Sequence, residues 1–176
     1  MNLKVMNLFL SDENIKKHLE HFRTFKLKYS VLEKSVTELK GMCISEVFKS
    51  NFGKEEKTEA LTLLWQIKSH ELFFKSFSEA PRWNDEMKKH FSSRDKFLYD
   101  ILCEANDVSG GFLYVYKDRQ QNIRIIFADE YDGAFVKYEP MLCLDLYEHT
   151  YFADYGFNKE KFLKNALAYF DTGRLV

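Results

Sequence analysis

Apolar residues recur at three- and four-residue spacing through the first part of the chain, which is the pattern of amphipathic helices. One helix is predicted over Asp12–Leu39, with Ser11 or Asp12 as its N-cap and Gly41 just after its end. A second long helix is predicted over Thr58–Phe77, and Pro81 follows it. Because a short polar connection joins them, these two helices are expected to pack as an antiparallel hairpin.

After Pro81 the pattern changes from helical to mixed. Helices are predicted from Asp95 to about Asn106 and over Asn158–Tyr169, on either side of a segment rich in β-branched and aromatic residues. That segment predicts three strands, which are Phe112–Lys117, Ile123–Ala128 and Met141–Leu146.

The order of these elements predicts an α+β fold with two domains. Residues 1–81 are expected to form an N-terminal antiparallel helical hairpin. Residues 82–176 are expected to form a C-terminal domain of helices around a three-stranded antiparallel sheet. A chain of 176 residues, 45% of them hydrophobic and 16% aromatic, has enough apolar side chains to bury such a core.

Composition narrows the classes of function. The net charge of -1 gives no basic field for nucleic acid or an anionic membrane, and the apolar runs are too short to cross a bilayer. The first ten residues lack a long apolar core and a cleavage site, so they are interpreted as mature sequence. The cysteines, Cys43, Cys103 and Cys143, are odd in number without short pair spacing, which indicates reduced thiols and a cytoplasmic location.

The predicted third strand ends in the most informative residues of the chain. Asp145 follows an apolar run, and His149 comes four residues later, so two ligands suited to a first-row metal lie close together. A metal site needs further imidazoles, and the chain has five histidines, which are His18, His21, His70, His90 and His149. His70 shares a helix face with Gln66, and His21 heads a stripe that continues through Phe25 and Tyr29. His18 and His90 are interpreted as structural or surface residues.

These motifs resemble a known family. Asp145–Phe152 reads Asp-Leu-Tyr-Glu-His-Thr-Tyr-Phe and resembles the Asp-x-Trp-Glu-His-x-Tyr-Tyr signature of the iron/manganese superoxide dismutases. His21 precedes Tyr29 by the eight residues that separate the family's first ligand from its active-site tyrosine. His70–Phe74 is similar to the family's His-x-x-Phe-Trp segment, and Ser109–Val115 is similar to its glycine-rich strand entry.

The resemblance implies a metal site between the two domains, built from His21, His70, Asp145 and His149 and holding one iron or manganese ion per subunit. Three neutral imidazoles and one carboxylate leave a net charge of +1 or +2, so both oxidation states of the ion are tolerated. The implied activity is disproportionation of superoxide to oxygen and hydrogen peroxide.

Three further residues take their expected roles from the same resemblance. Tyr29 matches the active-site tyrosine, which implies a proton relay at the gate of the site. Gln66 occupies the position from which iron-type enzymes extend a glutamine to the metal-bound solvent, which favours iron, whereas manganese-type enzymes supply that glutamine from the sheet. Glu148 matches the glutamate that bonds a ligand histidine of the partner subunit, which implies a homodimer.

The chain departs from the family around the expected site. Tyr147 replaces the tryptophan between the aspartate and the glutamate of the signature. Phe25 and Phe152 replace a histidine and a tyrosine that hydrogen-bond across the dimer interface beside the substrate channel. Because both polar partners are lost together, neither is left unsatisfied, and a drier, re-packed gateway is the resulting hypothesis.

One alternative function remains open at this stage. The altered aromatic shell is compatible with a catalytically drifted metal-binding homologue that senses or stores metal or performs another redox reaction. A helical interaction module without metal is discounted, because it would leave the four matching ligand positions as coincidence. Superoxide as substrate and a second copy of the chain are the expected partners, and neither nucleic acid nor a membrane is expected.

Overall fold

The computed structural model describes residues 3–83, 85–131, 135 and 139–174. Within them the α-helices are α1 Leu3–Met6, α2 Asp12–Ser35, α3 Ile44–Lys49, α4 Lys54–Phe73, α5 Asp85–His90, α6 Arg94–Asn106, α7 Glu148–Tyr155 and α8 Lys159–Ala168. The strands are β1 Phe112–Lys117, β2 Ile123–Ala128 and β3 Glu139–Asp145. Short 3-10 helices follow α2 at Thr37–Leu39 and end the described chain at Thr172–Arg174. The α+β architecture predicted from the sequence is confirmed.

The two long helices α2 and α4 pack against each other in opposite chain directions. His18 of α2 lies beside Phe74, just past the end of α4, whereas Phe22, one turn later on α2, lies beside His70, one turn earlier. The Ser11 side chain accepts a hydrogen bond from the Asn14 amide and caps α2, as predicted. This helical hairpin brings two histidines to its inner face.

Helix α4 begins and ends four residues earlier than predicted. Gly53 precedes it, and the carboxylates of Glu55 and Glu56 lie in its first turn, where they complement the helix dipole. The chain leaves the helix after Phe73, and Phe77 pairs instead with Phe170 in an isolated β-bridge.

The sheet has the order β2-β1-β3, and both pairings are antiparallel. The central strand β1 is buried from Phe112 to Tyr116, because both of its edges are paired and both faces are covered. Phe112 pairs with Asp145 at the end of β3. Gly111 has a φ of +111°, and its carbonyl accepts a hydrogen bond from Leu146, which anchors the end of β3.

Helices α1, α3 and α7 were not predicted from the sequence. Helix α7, Glu148–Tyr155, directly follows β3, and its β-branched and aromatic residues do not show a helical pattern clearly. It packs against α2 and α8, while α4 packs against β3. Among the helices that the structure describes, none is both long and apolar enough to pass through a lipid bilayer.

Candidate metal centre

Four side chains from four different elements converge where α2, α4, β3 and α7 meet. They are His18, His70, Asp145 and His149, and each contributes one donor atom within 4.8 Å of all the others. Metal–nitrogen and metal–oxygen bonds of about 2.0–2.2 Å place the donor atoms of one ion about 3–4 Å apart. The arrangement is therefore close to that of a mononuclear metal site.

One carboxylate oxygen is the common neighbour of the three imidazoles. Oδ2 of Asp145 lies 3.1 Å from Nε2 of His18, 3.3 Å from Nε2 of His149 and 3.6 Å from Nε2 of His70. Its other oxygen, Oδ1, accepts a hydrogen bond from the Tyr147 amide at 3.0 Å, which fixes the orientation of the carboxylate. The same nitrogen of each histidine thus faces the same point.

The orientation of His70 is set by its own helix. Its Nδ1 lies 2.7 Å from the carbonyl oxygen of Gln66 and donates to it, so the lone pair of Nε2 faces the cluster. Nε2 is buried and has no hydrogen-bond partner among the residues that the structure describes. Because a buried imidazole nitrogen without a partner costs free energy, a cation at this point fits the donor set.

The protonation states of His18, His70 and Asp145 also suit a cation. Burial lowers the pKa of His18 and lowers that of His70 to about 4, so both imidazoles are neutral at pH 7. Burial acts to raise the pKa of the Asp145 carboxyl, but its interactions with His149 and His18 outweigh this and hold the pKa well below its ordinary value. Neutral imidazoles and an ionised carboxylate are the forms that bind metal.

Aromatic rings enclose the cluster on most sides. Phe22 stacks on His70 at a centroid distance of 5.7 Å, and Phe112 meets the same imidazole edge-on at 5.4 Å. The Tyr147 ring stacks on that of His149 at 5.7 Å. His18 and His70 are buried, whereas the His149 side chain is 28% exposed, so the cluster opens on the His149 side.

The cluster differs from the predicted ligand set at one position, because α2 contributes His18 to it and not His21. Successive helical residues are about 100° apart, so His21 lies about 60° around the helix from His18. The face that points inward carries His18 and Phe22, both buried, while His21 is exposed beside the cluster. His18 was interpreted as a structural residue, since the eight-residue spacing to Tyr29 favoured His21.

Hydrogen bonds between α2 and α7 fix the position of His18 relative to α7. The amide nitrogen Nδ2 of Asn14, one turn before His18, donates to the carbonyl oxygen of Thr150 and to Oδ2 of Asp154, each at 3.0 Å. Thr150 directly follows His149. The contact therefore positions both histidines, and no motif in the sequence marked Asn14 for this role.

The structure does not bring Tyr29 into the cluster. Its side chain is buried between α2 and α4, and it lines a separate cavity of about 430 Å³ with Met42 and Leu64. Its hydroxyl has no hydrogen-bond partner in the described part of the chain. Counted from His18, the eight-residue spacing leads to Lys26 instead.

Gln66 and Tyr147 lie next to each other at the edge of the cluster. Burial raises the pKa of the Tyr147 phenol, and a hydrogen bond with the Gln66 side chain acts in the opposite direction. The Tyr147 hydroxyl donates to the carbonyl oxygen of Asp129 at 2.8 Å and so connects the start of α7 to the end of β2. The expected contact of the Gln66 side chain with a metal-bound solvent molecule remains a prediction.

The residues expected at a subunit interface differ in their exposure. Glu148 is exposed at the start of α7, and Phe152 is 43% exposed and contacts Phe157. Phe25 packs on the rings of His21 and His70. The bridge by Glu148 and the apolar gateway of Phe25 and Phe152 involve a second subunit and stay predictions.

Comparison with known proteins gives a family match across the C-terminal half. The family model described as iron/manganese superoxide dismutases, C-terminal domain, matches residues 79–172, which is more than half of the chain. The matched region includes the sheet, α7 and two of the four clustered side chains, Asp145 and His149.

Curated relatives agree with this match. Superoxide dismutase (Mn) 1 of Halobacterium salinarum is 31% identical over 101 residues, which cover 53% of this chain and 50% of the relative. Superoxide dismutase (Mn) 1 of Haloferax mediterranei is 31% identical over 94 residues, 49% of this chain and 65% of the relative. Superoxide dismutase (Mn) 2 of Haloferax volcanii is 30% identical over 96 residues, which cover 49% of this chain and 47% of the relative.

The similarity therefore spans about half of this chain and less than two thirds of each of these relatives. It is nevertheless consistent with the geometry, because the region that matches the family model supplies the carboxylate on which the three imidazoles converge. The chain belongs to the iron/manganese superoxide dismutase family.

Proposed function

We propose that this chain is a superoxide dismutase that binds one iron or manganese ion through His18, His70, Asp145 and His149. The observation that carries the proposal is the convergence of three Nε2 atoms on one carboxylate oxygen in a member of this family. His18 takes the place that the sequence analysis gave to His21.

An ion bound there would supply one-electron chemistry, so that one superoxide is oxidised to oxygen while a second, with two protons, is reduced to hydrogen peroxide. The chain contributes the electrostatic setting. The ionised Asp145 offsets part of the charge of the ion, and the neutral imidazoles leave a residual positive charge that attracts an anionic substrate. The aromatic rings keep bulk water from the buried side, and superoxide reaches the site from the partly exposed side of His149.

Two observations bear on the choice of ion. The Gln66 position favours iron, as proposed from the sequence, and Gln66 lies on α4 one helical turn before the clustered His70. The relatives named above are manganese enzymes. Reconstitution with each ion separately distinguishes the two.

A second candidate function is metal binding without dismutation, as in a drifted homologue that senses or stores metal or performs another redox reaction. The specific observation in its favour is the position of Tyr29, whose hydroxyl is buried in a different cavity. The position eight residues after His18, where the family spacing would put a tyrosine, is occupied by Lys26. Lys26 forms an ion pair with Glu71 at 3.7 Å. A proton relay by Tyr29 is therefore not part of the proposal.

We further propose that the protein is a cytoplasmic homodimer, with its domains divided near Pro81 and the metal between them. The support for a dimer is the exposed pair Phe152 and Phe157 on the same side as Glu148, since exposed aromatic side chains of this size are characteristic of interfaces. The odd, unpaired cysteines support a reducing compartment.

The test is superoxide removal by protein reconstituted separately with iron and with manganese, with the metal content of each sample quantified. Rapid removal with at least one ion, lost in His18→Ala and kept in His90→Ala, is the expected result. Stoichiometric metal without turnover in either sample would instead establish the second candidate. A chain that binds neither ion would contradict both.

A further inference from the structure

A fifth imidazole lies against the four-residue cluster. The ring centroid of His21 is 4.2 Å from that of His149 and 5.7 Å from that of His70. By the same measure the three clustered imidazoles lie 5.0 to 5.8 Å from one another. His21 is thus as close to two of them as they are to each other, although its nitrogens are not among the four convergent donor atoms.

His21 occupies the side of the cluster that solvent reaches. His18 and His70 are buried, whereas His21 is exposed and the neighbouring His149 side chain is partly exposed. Phe25, one turn further along α2, meets the His21 ring edge-on at 4.8 Å. The ring is therefore placed where a ligand would approach the cluster.

The His21 side chain is free to reorient, because it is exposed. An exposed side chain changes rotamer on a picosecond to nanosecond timescale. Rotation about χ1 or χ2 changes the direction in which its ring nitrogens point and requires no movement of the helix.

We propose that His21 is a fifth protein ligand, which turns in from the solvent side when the ion is bound. The inference rests on the proposed function, because it requires an ion held by His18, His70, Asp145 and His149. The donor set then comprises four imidazoles and one carboxylate. Five protein donors would leave at most one position of a six-coordinate ion for solvent and superoxide.

The experiment uses the full chain loaded with Mn(II), because the relaxation of water protons reports how many water molecules the ion binds. His21→Ala removes the imidazole, and His21→Phe keeps a ring next to His149 but offers no nitrogen. His90→Ala is the control for deleting an imidazole elsewhere. The second readout is the rate at which a chelator removes the ion.

Both His21 variants are expected to relax water protons about twice as strongly as wild type, since one octahedral position passes from protein to water. They should also release the ion at least about tenfold faster, while His90→Ala behaves as wild type. Equal relaxation and release in all forms would overturn this inference alone. A response of His21→Ala that His21→Phe does not share would also overturn it, because ring packing would then explain the effect. Wild-type protein that takes up no ion would overturn the proposed function together with it.

Discussion

His18 is a completely buried imidazole, and such a side chain must satisfy its ring nitrogens within the protein. Its Nε2 faces Asp145, and its Nδ1 has no hydrogen-bond partner in the described ranges. The Phe73 and Phe74 rings lie 5.1 Å from the imidazole and exclude water. A polar residue kept in such a setting is better explained by a ligand role than by packing.

His18→Ala is expected to reduce metal occupancy from one ion per chain to nearly none, because it removes a donor that the buried site cannot replace with a protein group. The measurement is metal content after dialysis against a weak chelator. His90→Ala, on the last turn of α5, is the matched control and should retain the ion. Full occupancy in His18→Ala would contradict the assignment of this residue.

The metal-free chain is expected to lose stability as the pH falls from 6.5 toward 4. Burial lowers the pKa of His70 to about 4, while in the unfolded chain it is near 6.5, so in this window the unfolded state binds more protons than the folded state. The free energy of unfolding should then fall by up to about 1.4 kcal/mol per pH unit for each such histidine. Urea unfolding at pH 7 and pH 5 measures the slope, and His70→Gln should reduce it. Equal stability at both pH values would contradict this protonation scheme.

Tyr29→Phe is expected to leave metal binding and turnover unchanged. The Tyr29 hydroxyl is buried without a partner among the described residues, so its removal should be neutral or stabilise the fold by up to about 1 kcal/mol. Turnover and thermal unfolding of the loaded variant are the measurements. A severalfold loss of turnover with normal metal content would restore the relay role that the family spacing suggested.

At the level of elements, helix α2 shows how far sequence reasoning reaches. Its inward face follows a regular repeat with spacings of three and four residues. The members are the buried Ile15, His18, Phe22, Tyr29 and Leu32 and the partly buried Phe25. His18 fits this repeat and His21 does not. Periodicity alone could therefore have selected His18, but the eight-residue spacing to a tyrosine outweighed it.

For the strands, in contrast to the ligand on α2, the local sequence pattern was sufficient. The bounds of β1 and β2 were predicted correctly, because their β-branched and aromatic runs end at clear turn residues. Helix α7 was missed, since Thr150, Tyr151 and Phe152 have little intrinsic helix preference and are held by packing against α2 and α8. Contacts between distant elements, such as Asn14 with Thr150, leave no local signal in the sequence at all.

Asn14→Ala is expected to destabilise the fold by about 1–3 kcal/mol, because the buried amide bonds to Thr150 and Asp154 are lost. Since α2 and α7 would then be free to shift, metal affinity should fall by about tenfold or more. Urea unfolding and metal titration test both effects. The exposed Asn165, whose amide contacts Tyr155, provides the control variant Asn165→Ala, and an equal response of the two would contradict a special role for Asn14.

For the whole molecule, the exposed aromatic pair on and after α7 predicts the assembly state. Phe152 is 43% exposed and Phe157 is 91% exposed, and burial of both in a dimer would remove a large apolar area from water. Sedimentation of the wild-type protein should give twice the mass of the chain, and Phe152→Asp should shift it toward monomer. Tyr99→Asp, at another exposed aromatic position on α6, is the control. A monomeric wild-type protein would contradict the proposed dimer.

The contact between His18 and Asp145 joins residues 127 positions apart, and this separation has a consequence for the order of events during synthesis. His18 and His70 leave the ribosome well before the carboxylate that completes their site. At about 5–20 residues per second, the interval between residues 70 and 145 is roughly 4 to 15 s. Until then, a nascent chain contains only His18 and His70 of the four clustered side chains. The identity of the metal is therefore decided after translation has passed residue 149, by the ions then available to the finished fold.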